Sequence, residues 1–508
     1  MSINNANRII LNTGVLYAKA LITMGISFIT VPVVLRALGK SDYGLYNLIA
    51  GVIAMLSFLN ASLTVSTQRF MSVAMGKNDQ SHLNVIYNVG LRLHLYLGLG
   101  IVIFLEILEP FIFGGFLNIE LDKIGTAKIL YQILVGSTFF TIASVPFNAL
   151  LNAYENLIVF ALLSIFDAVL RLILALSLIF CPFDKLIYYG SGIAFVTILT
   201  AILKYVYIVI KYKNFAIGLL KYYDKTVFKE MSGFAGWNTF GGVAIIGRNQ
   251  GMAIILNLFY GTIANAAYGI ANQLNSLLSY FTSTLQQAIN PQLMRSEGMG
   301  DRNRLLRISF TSSKFSVLII CLLAIPLIVE MPYVAELWLK DVPENTVIFA
   351  RLVIILSIIF QYSSGLMSAI QSVGNIRSYF ISVSAVLLIS LPLAYILLKM
   401  DKPAYYAVLS IVIAESLAFP VRILYAKNLV GMSIRDFIRF VVWKTAVPIV
   451  SGGVLAIVLH IIMQESFLRL IIVCVAYATL YLIEVWLYSL DVQERNVILQ
   501  LLSKIAKK

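Results

Sequence analysis

Apolar segments of about twenty residues recur along the whole chain, and they limit its possible folds more than any other feature. A helix of about 20 residues crosses the ~30 Å apolar layer of a bilayer, whereas the strands of membrane barrels are short and alternating. Of the 508 residues, 60% are hydrophobic and 12% are charged, while soluble domains are about a quarter charged. The sequence therefore predicts an all-α integral membrane protein.

We predict about fourteen transmembrane helices. They lie at residues 12–35, 43–68, 85–108, 127–151, 156–180, 187–210, 233–258, 263–290, 309–332, 346–371, 377–398, 404–427, 439–462 and 467–489. The first segment has full spanning length and is not followed by a small-residue cleavage site. We therefore expect it to be a retained helix and not a signal peptide.

The net charge of +14 comes from lysines and arginines in the loops between apolar segments, where they orient a membrane protein. One set of loops holds about twice as many of them as the other set. This bias predicts that the N-terminus and the C-terminus are both cytoplasmic, and we expect no nucleic-acid partner. The three cysteines and three histidines are too scattered to predict a disulfide or a metal site.

An internal repeat links the two halves of the chain at an offset of about 222–225 residues. Tyr43-Gly44 corresponds to Tyr268-Gly269, and a glycine-containing turn ends at Asp79 and again at Asp301. The repeat spans six helices, an even number, so both copies enter the membrane from the same side as a parallel repeat.

The predicted regions are a six-helix lobe (1–212), a basic cytoplasmic linker (213–230), a second six-helix lobe (231–430), an extra helix pair (431–490) and a tail (491–508). The tail is either a short interfacial helix or a frayed end.

Several short motifs resemble the Wzx-type polysaccharide flippases, which share a superfamily with the multidrug MATE exporters and the lipid II flippase. The matching residues are Leu35-Arg36-Ala37-Leu38-Gly39, Tyr43-Gly44-Leu45-Tyr46, Arg248-Asn249-Gln250-Gly251, Asn257-Leu258-Phe259-Tyr260-Gly261, Asn265-Ala266-Ala267-Tyr268-Gly269-Ile270 and Asn290-Pro291-Gln292. The resemblance implies two six-helix lobes around a central cavity that opens alternately to either side. It also implies an undecaprenyl-pyrophosphate-linked glycan as cargo in the bacterial cytoplasmic membrane.

Charged residues deep in membrane helices are costly and usually functional. The predicted deep charges are Lys19, Arg92, Asp167, Arg171, Arg248 and Glu415. Lys204, Lys314, Arg351, Lys444 and Glu484 lie nearer to helix ends, where snorkelling to the interface explains them.

Arg248 is the strongest candidate for contact with cargo because a guanidinium group binds phosphate oxygens bidentately. Asn249 and Gln250 can donate to the same phosphate or to sugar hydroxyls. The alternative for Arg248 is a tie between helices, to Glu415 or to a backbone carbonyl. Glu415 is otherwise predicted to be isolated in the second lobe.

Asp167 and Arg171 are four residues apart on one helix, where they form either a self-neutralising pair or a cavity site. In the cavity reading, Arg171 contacts the cargo and Asp167 titrates with a coupling ion; Glu415 is a second candidate for ion coupling. Lys19 and Arg92 either face the cavity or reach the inner headgroups.

A polar stripe runs along the helix at 263–290. Its members step by three and four residues and so share one face: Asn272, Ser276, Ser279, Ser283, Gln286 and Asn290. We predict that the stripe lines a cavity, with Asn272 and Gln286 contacting cargo. The alternative is hydrogen bonding between packed helices.

These observations favour a flippase for a lipid-linked oligosaccharide, such as an O-antigen, capsule or exopolysaccharide repeat unit. The alternative is a cation-coupled multidrug exporter of the same fold. An enzyme such as a glycan polymerase is disfavoured, because the longest outward loops have only about twenty residues, and no nucleotide-binding motif is present. Four deep basic residues against two acidic ones favour an anionic cargo. The expected partners are that anionic glycan, membrane lipids and other polysaccharide-assembly proteins; no cofactor is expected beyond Na⁺ or H⁺ as a coupling ion.

Overall fold

The computed structural model describes residues 3–54, 57–116, 119, 121–212, 215, 222–339 and 341–506. These ranges are almost entirely helical and contain no strand, so the all-α prediction is confirmed. Within the predicted linker, residues 213–214 and 216–221 lie outside the described residues, as do residues 507–508 of the tail.

The described part contains nineteen α-helices. They are α1 (Ile3–Ala54), α2 (Ser57–Gly76), α3 (Gln80–Phe111), α4 (Ile124–Ala143), α5 (Val145–Ala153), α6 (Leu157–Ser177), α7 (Lys185–Lys211), α8 (Lys225–Gly298), α9 (Arg302–Val329), α10 (Met331–Leu339), α11 (Thr346–Tyr362), α12 (Ser364–Val373), α13 (Arg377–Leu388), α14 (Ser390–Lys399), α15 (Tyr405–Tyr425), α16 (Ile434–Phe437), α17 (Trp443–Ile462), α18 (Phe467–Glu484) and α19 (Val492–Ala506). Short π-helical turns follow α3, α15, α16 and α18.

Eleven helices in the described ranges are long and apolar enough to cross a membrane, or twelve if α11 and α12, bent by 44°, form one span. The 74-residue helix α8 counts once, although it covers two of the predicted spans. These two spans meet at Gly261, where α8 is broken, as the sequence predicted. The total of fourteen helices remains a prediction.

The predicted repeat is visible in the backbone. Helix α1 is broken at Gly39, 222 residues before the break at Gly261. At the same offset, Asp79 and Asp301 are the N-caps of α3 and α9, and each side chain accepts a hydrogen bond from the backbone three residues later. The bond from the His82 amide holds the pKa of Asp79 below its ordinary value. Both copies therefore begin the helix after the turn in the same way.

The chain divides into two compact units, Asn12–Thr239 and Met1–Leu11 with Phe240–Lys508, which we call the first and the second unit. In the first unit, α4 packs against α3 and α7, and α2 packs against α5. A buried tyrosine ties α4 to α3, because the Tyr131 hydroxyl donates to the Leu105 carbonyl at 2.6 Å. The lobe and linker borders predicted from the sequence are not tested by this division and remain predictions.

Helix α9 lies at the core of the second unit, where it packs against α11, α12, α17 and α18. Two tyrosines of α18 donate to backbone carbonyls of α9: Tyr477 to Cys321 at 2.8 Å and Tyr481 to Leu318 at 2.9 Å. The predicted extra helix pair is thus hydrogen-bonded to α9 midway along its length.

Ion pairs also hold α9 near its midpoint and at its C-terminal end. Near the midpoint, the Lys314 ammonium contacts the Glu494 carboxylate at 2.7 Å, with 4% of the lysine side chain exposed. At the C-terminal end, the buried Glu330 pairs with Arg469 at 2.8 Å and with His460 at 2.9 Å. The snorkelling interpretation of Lys314 was wrong: the lysine is buried because an acidic partner from the tail helix neutralises it.

Candidate functional site

A polar cavity of about 420 Å³ lies within the first unit; we call it the α1–α6 pocket. Helices α1, α6 and α7 supply most of its lining. The lining residues are Lys19, Thr23, Ile26, Ser27, Thr30, Val31, Tyr46, Ser164, Asp167, Ala168, Arg171, Tyr189 and Ile193. Three of the predicted site residues, Lys19, Asp167 and Arg171, therefore meet in one place.

Hydroxyl groups form one wall of this pocket. Thr23, Ser27 and Thr30 each donate to a backbone carbonyl four residues earlier in α1, at 2.7–2.9 Å. A hydroxyl has one hydrogen to donate and two lone pairs to accept with. Because the hydrogens are used within the helix, this wall offers acceptor oxygens to the hydroxyl groups of a ligand.

Asp167 and Arg171 form the intrahelical pair that the sequence left as one of two alternatives. The Arg171 Nε donates to Asp167 Oδ2 at 2.7 Å, and Nη2 donates to the Thr197 hydroxyl at 3.4 Å. The two side chains nevertheless remain 35% and 28% exposed. The pair is thus formed and still reachable from the pocket.

Cations outnumber anions at this site. The Lys19 ammonium lies 5.2 Å from the centre of the Phe160 ring, which attracts a cation through its π electrons. Lys204 is close enough to Lys19 and Asp167 to interact electrostatically with both. Lys19 and Arg171 thus outnumber the one carboxylate in the pocket lining, and the snorkelling interpretation of Lys204 stays a prediction.

Arg92 lies elsewhere in the first unit and does not line the α1–α6 pocket. Its guanidinium group is stacked 4.3 Å from the centre of the Tyr223 ring, in the segment just before α8. The sequence analysis placed Arg92 among the deep charges because its helix is apolar. The periodicity of a helix does not show which segment packs against each of its faces, so the contact of Arg92 with Tyr223 could not be predicted.

A second charged group lies within the second unit; we call Arg248, Glu415 and Arg422 the Glu415 cluster. Arg248 Nη1 lies 3.3 Å from Glu415 Oε2, and Arg422 Nη1 bonds to Glu415 Oε1 and, at 3.2 Å, to the Ser363 hydroxyl. Relative exposures of 7%, 2% and 1% place all three in the interior.

The prediction that Glu415 is isolated was therefore wrong, and Arg422 was missed. The available signal was the seven-residue spacing between them on α15, because two helical turns return to the same face. For Arg248, the structure contains the tie to Glu415 that the sequence left as the alternative. Asn249 accepts from Arg248 Nε at 3.3 Å, while Gln250 is exposed. Contact of these three residues with cargo remains a prediction.

The polar stripe on α8 serves more than one purpose. The Gln286 amide nitrogen donates to Ser316 and Ser364, both at 3.0 Å, and its oxygen accepts from Ser312 at 3.1 Å and Ser368 at 3.4 Å. All of its hydrogen-bonding capacity is used inside the second unit, so here Gln286 packs helices together instead of lining a cavity. Other stripe members remain accessible: Asn272 is half-buried, and Ser276 and Ser283 are exposed.

Comparisons with known proteins agree on the class of molecule. The model of a family described as "Polysaccharide biosynthesis protein" matches residues 9–297. No curated protein sequence matches the chain.

Several solved structures resemble the chain in fold. A MATE protein in the bent conformation is 15% identical, with a TM-score of 0.74 over 85% of this chain and 98% of that one. An outward-facing multidrug resistance MATE family transporter of the MOP superfamily is 14% identical, with a TM-score of 0.72 and the same coverage. A MOP superfamily transporter from Pyrococcus furiosus, described as having a binding pocket of reverse polarity, is also 14% identical, with a TM-score of 0.72 over 85% of this chain and 98% of that one.

At this level of identity, the structural matches establish the fold of a MATE-type membrane transporter and not a substrate. The family match covers more than half of the sequence. The chain therefore belongs to the polysaccharide biosynthesis protein family and is a multi-pass membrane protein with a transporter fold.

Proposed function

We propose that the protein moves an undecaprenyl-pyrophosphate-linked oligosaccharide from the inner to the outer leaflet of the bacterial cytoplasmic membrane by alternating access. The observation that carries the proposal is the α1–α6 pocket, whose lining holds the two cations Lys19 and Arg171 and the single carboxylate of Asp167, with Lys204 close enough to Lys19 and Asp167 to interact electrostatically with both. Such an excess of cations in a low-dielectric environment attracts an anion strongly. Pyrophosphate is the anionic part of this cargo.

The rest of the pocket suits a sugar. The hydroxyls of Thr23, Ser27 and Thr30 present acceptor oxygens, as described above, and Tyr46 and Tyr189 lie edge to face with ring centres 5.0 Å apart. Sugars offer many hydroxyl donors and apolar ring faces, which such a wall can bind. The cargo is therefore proposed to be both anionic and glycosylated.

The second candidate is a cation-coupled multidrug exporter, which is favoured by the structural likeness to multidrug MATE transporters. A cationic drug would meet two cations and one carboxylate in the lining of the α1–α6 pocket, and like charges repel at short range. We therefore rank this function below the flippase. Na⁺ or H⁺ coupling through Asp167 or Glu415 is compatible with either function.

The test uses purified protein in liposomes, with a fluorescent lipid-linked diphosphate oligosaccharide and ethidium as competing substrates. We expect translocation of the oligosaccharide and no ethidium transport, and a large loss of translocation in the pocket double variant Lys19→Gln/Arg171→Gln. Lys128→Gln is the matched control, because Lys128 pairs with Glu109 at 3.1 Å, is 47% exposed and lies outside the pocket. Ethidium transport without oligosaccharide translocation would favour the exporter.

A further inference from the structure

The Glu415 cluster carries a positive charge that its own residues do not neutralise. Two guanidinium groups, Arg248 and Arg422, share the one carboxylate of Glu415, and all three side chains are buried. The Nε of Arg422 is also buried and has no hydrogen-bond partner among the described residues. Buried charges are costly unless they are paired, so the cluster as it stands can accept a further anion.

The two arginines hold Glu415 in different ways. Arg422 is on the same helix as Glu415, two turns further along α15, so their contact lasts as long as α15 remains helical. Arg248 is on α8 and reaches Glu415 across a helix–helix contact. A rearrangement of helices can therefore separate Arg248 from Glu415 without disturbing Arg422.

We infer that Arg422 is a positioning residue that keeps Glu415 neutralised when Arg248 exchanges this carboxylate for a phosphate oxygen of the anionic cargo. The inference rests on the proposed function. In the empty protein, Glu415 takes the place of the cargo anion on Arg248. When cargo binds, Arg248 changes partner, and the remaining pair of Glu415 and Arg422 is neutral.

Without Arg422, the exchange would be unfavourable. Departure of Arg248 would leave the Glu415 carboxylate buried and unpaired, and removing one member of a buried ion pair is strongly destabilising. Arg248 would then remain with Glu415, and cargo would bind weakly. Ser363, which accepts from Arg422 Nη1 at 3.2 Å, helps to fix the position of Arg422.

The test is binding of geranylgeranyl pyrophosphate to the purified full-length protein in detergent, with geranylgeraniol as the uncharged control probe. We expect Arg422→Met to weaken binding of the pyrophosphate by about tenfold. The double variant Glu415→Gln/Arg422→Met should restore at least wild-type affinity, because no carboxylate then competes for Arg248. A structural role for Arg422 as the partner of the buried Glu415 would also be relieved by the second substitution, so the comparison in the Arg248→Met background is the readout that distinguishes the exchange.

A double-mutant cycle with Arg248→Met distinguishes an exchange of partners at Arg248 from a long-range electrostatic attraction between Arg422 and the pyrophosphate. In the Arg248→Met background, adding Arg422→Met should cause no further loss of affinity, since the exchange acts through Arg248. A further tenfold loss, or a failure of the double variant Glu415→Gln/Arg422→Met to recover affinity, would overturn the inference.

Arg422→Gln replaces Arg422→Met in every comparison if the methionine variant does not elute as a folded protein in size-exclusion chromatography. If the wild-type protein binds the pyrophosphate no better than geranylgeraniol, the proposed function fails and the inference fails with it. If the wild-type protein binds and only the variants behave otherwise, the proposed function stands and the inference alone is wrong.

Discussion

Gly39 and Gly261 adopt nearly the same backbone conformation at corresponding breaks in α1 and α8. Their φ and ψ angles are 80° and 169° for Gly39 and 71° and −162° for Gly261. This region of backbone space is essentially restricted to glycine. A Cβ atom at either position would have no other atom within 4 Å, so backbone strain alone opposes a side chain there.

We expect Gly261→Ala to lower the free energy of unfolding by about 1–3 kcal/mol. Gly269→Ala is the matched control: Gly269 also has open space around a Cβ position, but it lies within the regular helix, where alanine is favoured by about 0.5–1 kcal/mol. Thermal unfolding in detergent compares the two variants. Equal midpoints of thermal unfolding for the two variants would show that the break at Gly261 does not depend on the positive φ angle of this glycine.

The buried pair of Glu330 and Arg469 should contribute strongly to stability. Glu330→Gln leaves Arg469, of which 5% is exposed, without its buried ionic partner and with only the exposed Glu465 at 4.0 Å, and the expected cost is about 3–5 kcal/mol. The double variant Glu330→Gln/Arg469→Met should be milder than this single variant. Lys128→Ala, at the more exposed pair with Glu109, should cost less than about 1 kcal/mol. Similar losses of stability at both pairs would contradict the expectation that a buried ion pair contributes more than an exposed one.

The pair of Asp167 and Arg171 should behave differently in stability and in transport. Each single alanine variant leaves one unpaired charge, so thermal unfolding should show the double variant to be more stable than either single variant. Transport should be lost equally in Arg171→Ala and in the double variant if the guanidinium contacts the cargo, as we propose. Recovery of transport in the double variant would show that the two residues only neutralise each other and that Arg171 is not needed to bind cargo.

Membrane topology can be tested with reporter fusions. Fusions after Lys229 and after Arg307 should both report the cytoplasm, and a fusion after Asp341 should report the opposite side, because the loops rich in lysine and arginine remain inside. Opposite signals from the fusions after Lys229 and after Arg307 would overturn both the helix count and the parallel repeat.

The membrane potential should sustain export without a separate coupling ion. Moving one charge through 100 mV is worth ~2.3 kcal/mol, so outward movement of about two pyrophosphate charges gains roughly 4–5 kcal/mol. Proteoliposomes with a K⁺/valinomycin potential and no Na⁺ or pH gradient should show translocation that follows the sign of the potential. Translocation that responds only to a Na⁺ or H⁺ gradient would favour antiport through Asp167 or Glu415.

Local patterns in the sequence predicted what depends on neighbours along the chain. The break at Gly261 and the contact of Arg171 with Asp167 both follow from short spacings. Partners distant in the sequence could not be predicted, because periodicity identifies a helix face but not the helix that covers it. Gln286 illustrates this limit: its polar face was recognised, but the serines that bind it lie 26–82 residues away.

The ion pairs near the midpoint and at the C-terminal end of α9 impose an order on biosynthesis. Glu330 leaves the ribosome 139 residues before Arg469, and Lys314 leaves it 180 residues before Glu494. At ~5–20 residues per second, the carboxylate of Glu330 waits roughly 10–30 s for its arginine. During that interval, Lys314 near the midpoint of α9 and Glu330 at its C-terminal end are not yet neutralised by these partners. The synthesis of α18 and α19 is therefore the step that supplies the partners of both buried charges.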